Sequence, residues 1–448
     1  MEYELRIIVE KVSVSSRKVV KRDTIKIYDV ERPKSIVDLG LRHAEQIELL
    51  EKVQNVVLAE QAGLLDSGNK VCPQCGQKLK KNGTRTSSFH AVFSDHQLKI
   101  QQHCCENHEC SWRSSPTVNS LFGTSIHPDL GKLQCFQGAL YSYREAQKNL
   151  ELVNCRTRSI NNHTQVKRIT GKVGEVLSLE NYQTPSPVEC AAPAQQLIVQ
   201  VDGGHVPVQE KGKRSFEALS AVIYQPESIK EIDKNHRQII EKNCVVSAIE
   251  DELKTIKTYV INAALKQGLS EQTRVTGLAD GAKNCWSVLL ALQPHCQSLE
   301  GILDWFHIGQ KFQNVNQALG ESFEKFLESA KWELWHGKAV SALAKLALIG
   351  ENITDEQKRV KLKGLYDYLY RNQDYLVNYE QRKLANQTYT STVAESHIDT
   401  LINARHKKTG KMQWTREGAH QVLQIRAMMA CNQWEGIATK TVLSALIA

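Results

Sequence analysis

Three acids stand where a carboxylate could act on a phosphodiester. Asp202 closes the apolar run Leu197-Ile198-Val199-Gln200-Val201 and is followed by Gly203 and Gly204. Asp280 closes a second apolar run, residues 274–279, and is followed by Gly281. Both runs read as buried strands. An acid at such a strand end projects its carboxylate, and the glycines leave room beside it. Two adjacent carboxylates repel unless cations neutralise them. Two Mg2+ ions (or Mn2+), held ~3.5–4 Å apart, would do so and would clamp a phosphodiester in line. A lone Asp-Gly marks an ordinary turn, so the pair within one α/β segment carries the expectation. The third carboxylate must come from a later helix. Residues 394–405 have a helical pattern with two acids, Glu395 and Asp399, four apart and so on one face. Glu395 is preferred because Ser391, Thr392 and Ala394 before it are small enough to admit a metal. Asp399 reads as a surface or supporting residue.

A second cluster calls for different chemistry. Five of the 12 cysteines fall between residues 72 and 110, in the pattern Cys72-Pro-Gln-Cys75-Gly and then Cys104-Cys105-Glu-Asn-His-Glu-Cys110. Zinc takes four soft ligands at tetrahedral corners. A Cys-x2-Cys knuckle followed by glycine supplies two thiolates from one tight turn. Cys105 and Cys110 bracket another short turn, which favours Cys105 over Cys104 as the third ligand. The expected structural Zn2+ set is Cys72, Cys75, Cys105 and Cys110, in a zinc ribbon over residues 69–120. Four protein ligands leave no open position, so this zinc would fold a module rather than catalyse. The remaining cysteines are scattered and read as small buried apolar residues.

Charge points to a polyanionic partner. The chain has 448 residues and a net charge of +8. Between residues 132 and 172 the basic side chains Lys132, Arg144, Lys148, Arg156, Arg158, Lys167, Arg168 and Lys172 face only Glu145 and Glu151. In the same stretch Ser142-Tyr143-Arg144-Glu145 opens a short helix with a capping-box pattern. A second, polar and basic helix follows Ile160. Two short helices and a tight turn match helix-turn-helix geometry over residues 125–182, with the second helix in the major groove. Asn161, Asn162, Thr164, Gln165, Lys167 and Arg168 are the candidate DNA contacts, with His163 beside them. A basic loop at 405–411 offers Arg405, Lys407, Lys408 and Lys411 to a DNA backbone.

The carboxylates need a sheet to hold them. Strands are expected at 197–202, 205–208 and 216–225, then a helix near 249–268, a strand over 274–280, a helix from Lys283 and a strand at 302–304. Three strands, then helix, strand, helix and strand, is the opening of a ribonuclease-H-like fold. There an acid on the first strand and one ending the fourth lie side by side. Residues 195–311 form the first part of that core. Residues 312–388 carry helical periodicity alone and read as an all-helical insertion, and 389–448 supply the C-terminal helices. Residues 181–195, with three prolines, read as a linker. Residues 1–68 combine alternating strands over 3–30 with an amphipathic helix over 37–65, an α+β segment without a legible role. The fold class is multidomain α/β.

At this point the chain resembles the DDE transposases of bacterial insertion sequences, and most nearly the ISKra group. The resemblance rests on Asp202-Gly203-Gly204, Asp280-Gly281-Ala282, Asp304-Trp305-Phe306-His307 and the Glu395 segment. It also rests on Lys331-Trp332-Glu333-Leu334-Trp335-His336-Gly337, on residues 412–419 and on Ser142-Tyr143-Arg144-Glu145-Ala146, and covers roughly residues 70–435. It implies Mg2+-dependent cleavage and strand transfer through Asp202, Asp280 and Glu395. Asp304 and His307 resemble the Cys/Asp-x2-His motif of Mutator-like transposases, which lies near the active site. The implied partners are double-stranded DNA, as element terminal repeats and target, and further copies of the chain assembled on it. The alternative is a domesticated, non-catalytic transposase that binds DNA as a regulator. Loss of one acid would favour that reading, and here all three are present.

The bulk composition agrees with this class. Hydrophobic residues make up 41% and charged residues 24% of the chain, as in a globular protein. No apolar run reaches the ~18 residues needed to span a bilayer. The N-terminal Met-Glu-Tyr-Glu-Leu-Arg-Ile-Ile-Val-Glu alternates apolar and charged residues and lacks a signal-peptide core. A cytoplasmic, nucleoid-associated protein is expected.

Overall fold

The computed structural model describes residues 3–30, 32–65, 71–154, 160–233, 236–392, 399–407 and 412–448. Contacts group the chain into two compact units: Met1–Val173 with Gly436–Ala448, and Gly174–Glu435. The sequence had set all of 389–448 within the core. The contacts instead group the last helical turns, from Gly436 on, with the N-terminal unit. Among the described residues no helix is long and apolar enough to cross a membrane.

The N-terminal unit opens with an antiparallel hairpin, β1 (Tyr3–Val12) and β2 (Val19–Val30). The helix His43–Leu64 follows. A second hairpin, β3 (Leu79–His90) and β4 (Asp95–Cys105), turns tightly through residues 91–94. Alternation along β4 puts Leu98 and Ile100 on one face, where they bury Ala62 of the long helix and Val118. Three helices come next: Pro128–Leu140, Tyr143–Asn154 and His163–Tyr182. Proline is tolerated at the first turn, where its missing N–H costs nothing. The expected capping box at Ser142 forms: its N–H donates to the Glu145 carboxylate at 3.0 Å, and the Glu145 N–H donates back to Ser142 Oγ at 3.3 Å. Ala146, Leu150 and Val166 form the core these helices share.

The second unit is built on a five-stranded mixed sheet. Its strands are β5 (Gln196–Pro207), β6 (Ser215–Tyr224), β9 (Asn243–Ser247), β10 (Arg274–Ala279) and β11 (Ser298–Leu303), in the order β11-β10-β5-β6-β9. A small separate hairpin, β7 (Ile229–Asp233) and β8 (His236–Ile239), lies between β6 and β9 in the chain. β6 runs antiparallel to both β5 and β9, whereas β10 runs parallel to β5 and β11. The helix Lys283–Leu290 makes the crossover that the parallel neighbours β10 and β11 require, and the helix Lys254–Lys266 carries the chain from the edge strand β9 across the sheet to β10. Leu197 to Val201 are buried without alternation, as in a strand covered on both faces.

Two expectations about this sheet need correction. β5 does not end at Asp202 but runs on through Gly203 and Gly204, so the strand expected at 205–208 is its continuation. The glycines are there because neighbours press close. A Cβ on Gly203 would lie 2.7 Å from Glu217 Oε1, and one on Gly204 would lie 2.9 Å from Ile402. The third strand is instead β9, five residues long and preceded by the β7–β8 hairpin. The region expected to be all-helical holds the helices Trp305–Leu319, Glu324–Trp335, Ala339–Glu351, Glu356–Arg371 and Tyr379–Leu384.

Candidate functional site

Asp202 and Asp280 come together because β5 and β10 pair in parallel register. Val201 pairs with Ala279, the last residue of β10, so Asp202 within β5 and Asp280 just past the end of β10 follow at the same level of the sheet. Neighbouring strands lie roughly 4.8 Å apart. The Asp202 carboxyl is held above the usual carboxylate range, first by burial and then by the charges of Asp280 and Asp304. His307 and the Gly203 N–H, which donates to Asp202 Oδ1 at 2.6 Å, act in the opposite sense. Asp280 Oδ1 accepts the Ala282 N–H at 2.8 Å. The Tyr368 hydroxyl donates to the Asp280 carbonyl at 2.8 Å, which pins the turn.

Asp304 and His307 join this cluster, but in different roles. Asp304 is 1% exposed and caps the helix Trp305–Leu319, accepting the Phe306 N–H at 3.1 Å. Ser391 holds both its oxygens, through N–H to Oδ1 at 2.8 Å and Oγ–H to Oδ2 at 2.5 Å. The carboxylate is therefore fully engaged within the protein. One helical turn on, His307 Nε2 lies 3.6 Å from Asp304 Oδ2 and 3.8 Å from Asp202 Oδ2. Asp304 is thus a positioning residue, and His307 stands between it and Asp202.

Glu395 lies outside the described residues, so the structure leaves the expected third carboxylate unplaced. The chain on either side of 393–398 is anchored at the cluster. Ser391 bonds Asp304, and Ile402 covers Gly204 of β5, two residues after Asp202. Residues Asp399–Asn403 form a π-helical turn, a rare geometry that concentrates at functional sites. Arg426 supports that turn, donating from Nε to the Leu401 carbonyl at 2.7 Å and from Nη2 to the Thr400 carbonyl. Sequence reasoning missed the roles of Ser391, Tyr368 and Arg426. Each acts through the backbone or a buried oxygen, which no spacing motif reports. It also missed Glu217 on β6, whose charge, with those of Asp280 and Asp202, adds to burial in raising the Cys285 thiol.

The thiol cluster forms as expected. The ligand atoms of Cys72, Cys75, Cys105 and Cys110 all lie within 4.8 Å of one another. Cys72 Sγ is 3.8 Å from Cys110 Sγ, and Cys75 Sγ is 3.3 Å from Cys105 Sγ. Tight turns present them: Gly76, with φ of +73°, donates its N–H to the Cys72 carbonyl, and the Cys110 N–H donates to the Asn107 carbonyl. Burial pushes the Cys72 thiol up, but hydrogen bonds from the Cys75 and Gln74 backbone and from neighbouring thiols bring it down to about 7. These four cysteines can hold a metal ion such as zinc.

The candidate DNA contacts divide by exposure. Thr164, Lys167 and Arg168 are exposed on the helix His163–Tyr182. Asn162 caps its first turn, accepting the Gln165 N–H at 2.9 Å, and Gln165 Oε1 accepts from Arg168 Nε at 3.0 Å. Two expected contacts are corrected by burial. Asn161 is 2% exposed and accepts from Gln134 Nε2 at 2.8 Å, so it serves the helix core. Arg405 is 1% exposed, with its guanidinium 4.7 Å over the Trp414 ring. An apolar stem and an aromatic partner drew it inward, away from the loop whose charge it was expected to share. Lys407 is exposed, and Lys408 and Lys411 lie outside the described residues. Comparison with models of known protein families and with curated proteins finds no match for this chain.

Proposed function

We propose that this chain is a DNA transposase of the DDE type, with a ribonuclease-H-like core that cleaves and joins DNA ends through Asp202, Asp280 and Glu395. The observation that carries the reading is the pairing of Val201 with Ala279, which sets Asp202 and Asp280 side by side at one level of the sheet. The strand order supports the fold: three antiparallel strands, β9-β6-β5, then two parallel to β5, with helices in the crossovers. Ser391 bonds Asp304 and Ile402 packs on Gly204, so described residues on both sides of Glu395 in the sequence contact this part of the site, which supports Glu395 as the third acid.

The donor set fits divalent cations. It consists of hard carboxylate oxygens, and the Asp202 carboxyl, raised first by burial and then by the charges of Asp280 and Asp304, is a group whose charged form a cation would stabilise. Asp202, Asp280 and Glu395 would hold Mg2+ or Mn2+, which when bound supplies Lewis-acid stabilisation of charge on the phosphodiester oxygens. The chain's own residues do the positioning. Asp304 fixes the first turn of the helix Trp305–Leu319 and so fixes His307 against Asp202, favouring the charged carboxylate. Tyr368 and the Ala282 N–H fix Asp280.

DNA would be gripped elsewhere, by Lys167 and Arg168 with Thr164, and by the exposed Lys407. Phosphate contacts of this kind dominate affinity without specifying sequence. The partners are the terminal DNA of an element, its target DNA and further copies of the chain assembled on them. The test is purified protein with labelled terminal DNA and Mg2+. Nicked and joined products support the reading, and binding without either product would favour the non-catalytic regulator.

A further inference from the structure

We propose that Cys244 and Cys431 form a modification site that closes into a disulfide when hydrogen peroxide oxidises Cys431. The two come from distant parts of the chain, yet one register brings them together. Cys244 lies on β9, the edge strand of the five-stranded sheet, and Cys431 directly follows the helix Arg416–Ala430. That helix bonds to the strand at three successive places. The Ala248 N–H donates to His420 Nδ1 at 3.3 Å, the Gln424 amide donates to the Val246 carbonyl at 2.8 Å, and the Cys244 N–H donates to Cys431 Sγ at 2.8 Å. Residues 420, 424 and 431 share one helix face, and alternate strand residues meet it in turn. The two thiol side chains also hydrogen-bond to each other. They can therefore link with little backbone movement. The chemistry stands whether or not the chain acts on DNA.

The surroundings separate the attacking sulfur from the resolving one. Cys431 is 8% exposed and Cys244 3%. A hydrogen bond from the Cys244 side chain holds the Cys431 thiol below its usual value, against burial, and the Cys244 N–H and the buried Lys242 ammonium add to this. The Cys244 thiol, which donates that bond, is held above its usual value by it and by burial. Cys135 shows the contrast, since burial alone pushes its thiol up. The thiolate is the nucleophile, so Cys431 attacks. Its sulfur bonds one peroxide oxygen as the O–O bond breaks. The departing hydroxide takes up the proton that Cys431 released, giving water and a sulfenic acid. The Cys244 sulfur then attacks the Cys431 sulfur. The S–S bond forms, the S–O bond breaks, and the hydroxyl leaves as a second water with the Cys244 proton. Two thiols are oxidised, and the peroxide is reduced to water. The link staples the edge strand to the helix that carries Arg426.

The test treats the full, zinc-loaded chain with hydrogen peroxide, blocks the remaining thiols with N-ethylmaleimide in denaturant and maps peptides without reduction. A Cys244–Cys431 linked peptide should form and should vanish on addition of dithiothreitol. Cys431 should react roughly tenfold or more faster than Cys135, as its larger thiolate fraction dictates. In the Cys244→Ser protein a dimedone probe should label Cys431 as the stranded sulfenic acid. In the Cys431→Ser protein Cys244 should stay unlabelled. The linked peptide is read from the parent chain, so poor folding of either serine variant leaves the test intact. Recovery of both cysteines as maleimide adducts after peroxide has oxidised Cys72, Cys75, Cys105 and Cys110 would overturn the proposal. So would a Cys431 that links to any cysteine other than Cys244.

Discussion

The two units gather ligands of opposite kinds. In the N-terminal unit four thiols converge to within 4.8 Å on two turns of one hairpin module. In the second unit Asp202 and Asp280 arrive from separate parallel strands, and Asp304 and His307 from a helix start. Protonated thiols are neutral and can crowd before any metal arrives. Carboxylates repel, and the Asp202 carboxyl is raised by burial first and then by the charges of Asp280 and Asp304. A closed soft set folds a module, whereas a partly open hard set leaves positions for a substrate. Under the proposed function the first unit carries the Lys167 and Arg168 grip, and the second carries the chemistry together with Lys407.

Each part of that division can be broken separately. Asp202→Asn keeps the side-chain shape and removes one charge from the cluster. Cleavage should fall by roughly a thousandfold or more, on the scale of losing a key electrostatic group, while binding to element ends stays within about twofold. Loss of both would deny the separation of the units. Cys75→Ser or strong chelation should release one zinc per chain and melt the β3–β4 module, since structural zinc contributes about 10 kcal/mol or more in small zinc domains. Metal analysis and proteolysis would check this, and a variant chain that stayed protected without zinc would contradict it. Lys167→Ala with Arg168→Ala should weaken DNA binding and lower the slope of log affinity against log salt by about 2. An unchanged slope would move the grip elsewhere.

A smaller effect belongs to the second unit alone. Burial, with Arg405 adding, lowers His406 from 6.5 to about 3, and burial lowers His420 to about 4. Each ring is therefore neutral in the fold, and the unfolded chain takes up the proton first as pH falls. Stability should be full above about 6.5 and decline below it, flattening near 3 to 4. The slope is at most about 1.4 kcal/mol per pH unit for each ring. Urea unfolding at pH 7 and pH 5 should show a smaller loss for His406→Phe than for the parent chain. An equal loss in both would contradict a neutral buried His406.

The thiol set was legible because its ligands are local: two short spacings fixed all four residues and preferred Cys105 to Cys104. Asp202 and Asp280 were legible because each follows an apolar run, and parallel pairing did the rest. Gly203-Gly204 misled, since glycine at a close approach looks like glycine at a break. β9 was lost because only five residues form it. Arg405 and Asn161 were misjudged for a common reason. A charged or amide residue in a polar stretch reads as exposed, and only tertiary packing on Trp414 or Gln134 says otherwise.

In the proposed function Asp202 and Asp280 share divalent cations with Glu395. Crystals of the full chain soaked in Mn2+ would test it through the manganese anomalous signal. Two peaks about 3.5–4 Å apart are expected, in contact with Asp202, Asp280 and Glu395, and lost in the Asp202→Asn protein. Manganese bound elsewhere, with no peak between Asp202 and Asp280, would contradict it.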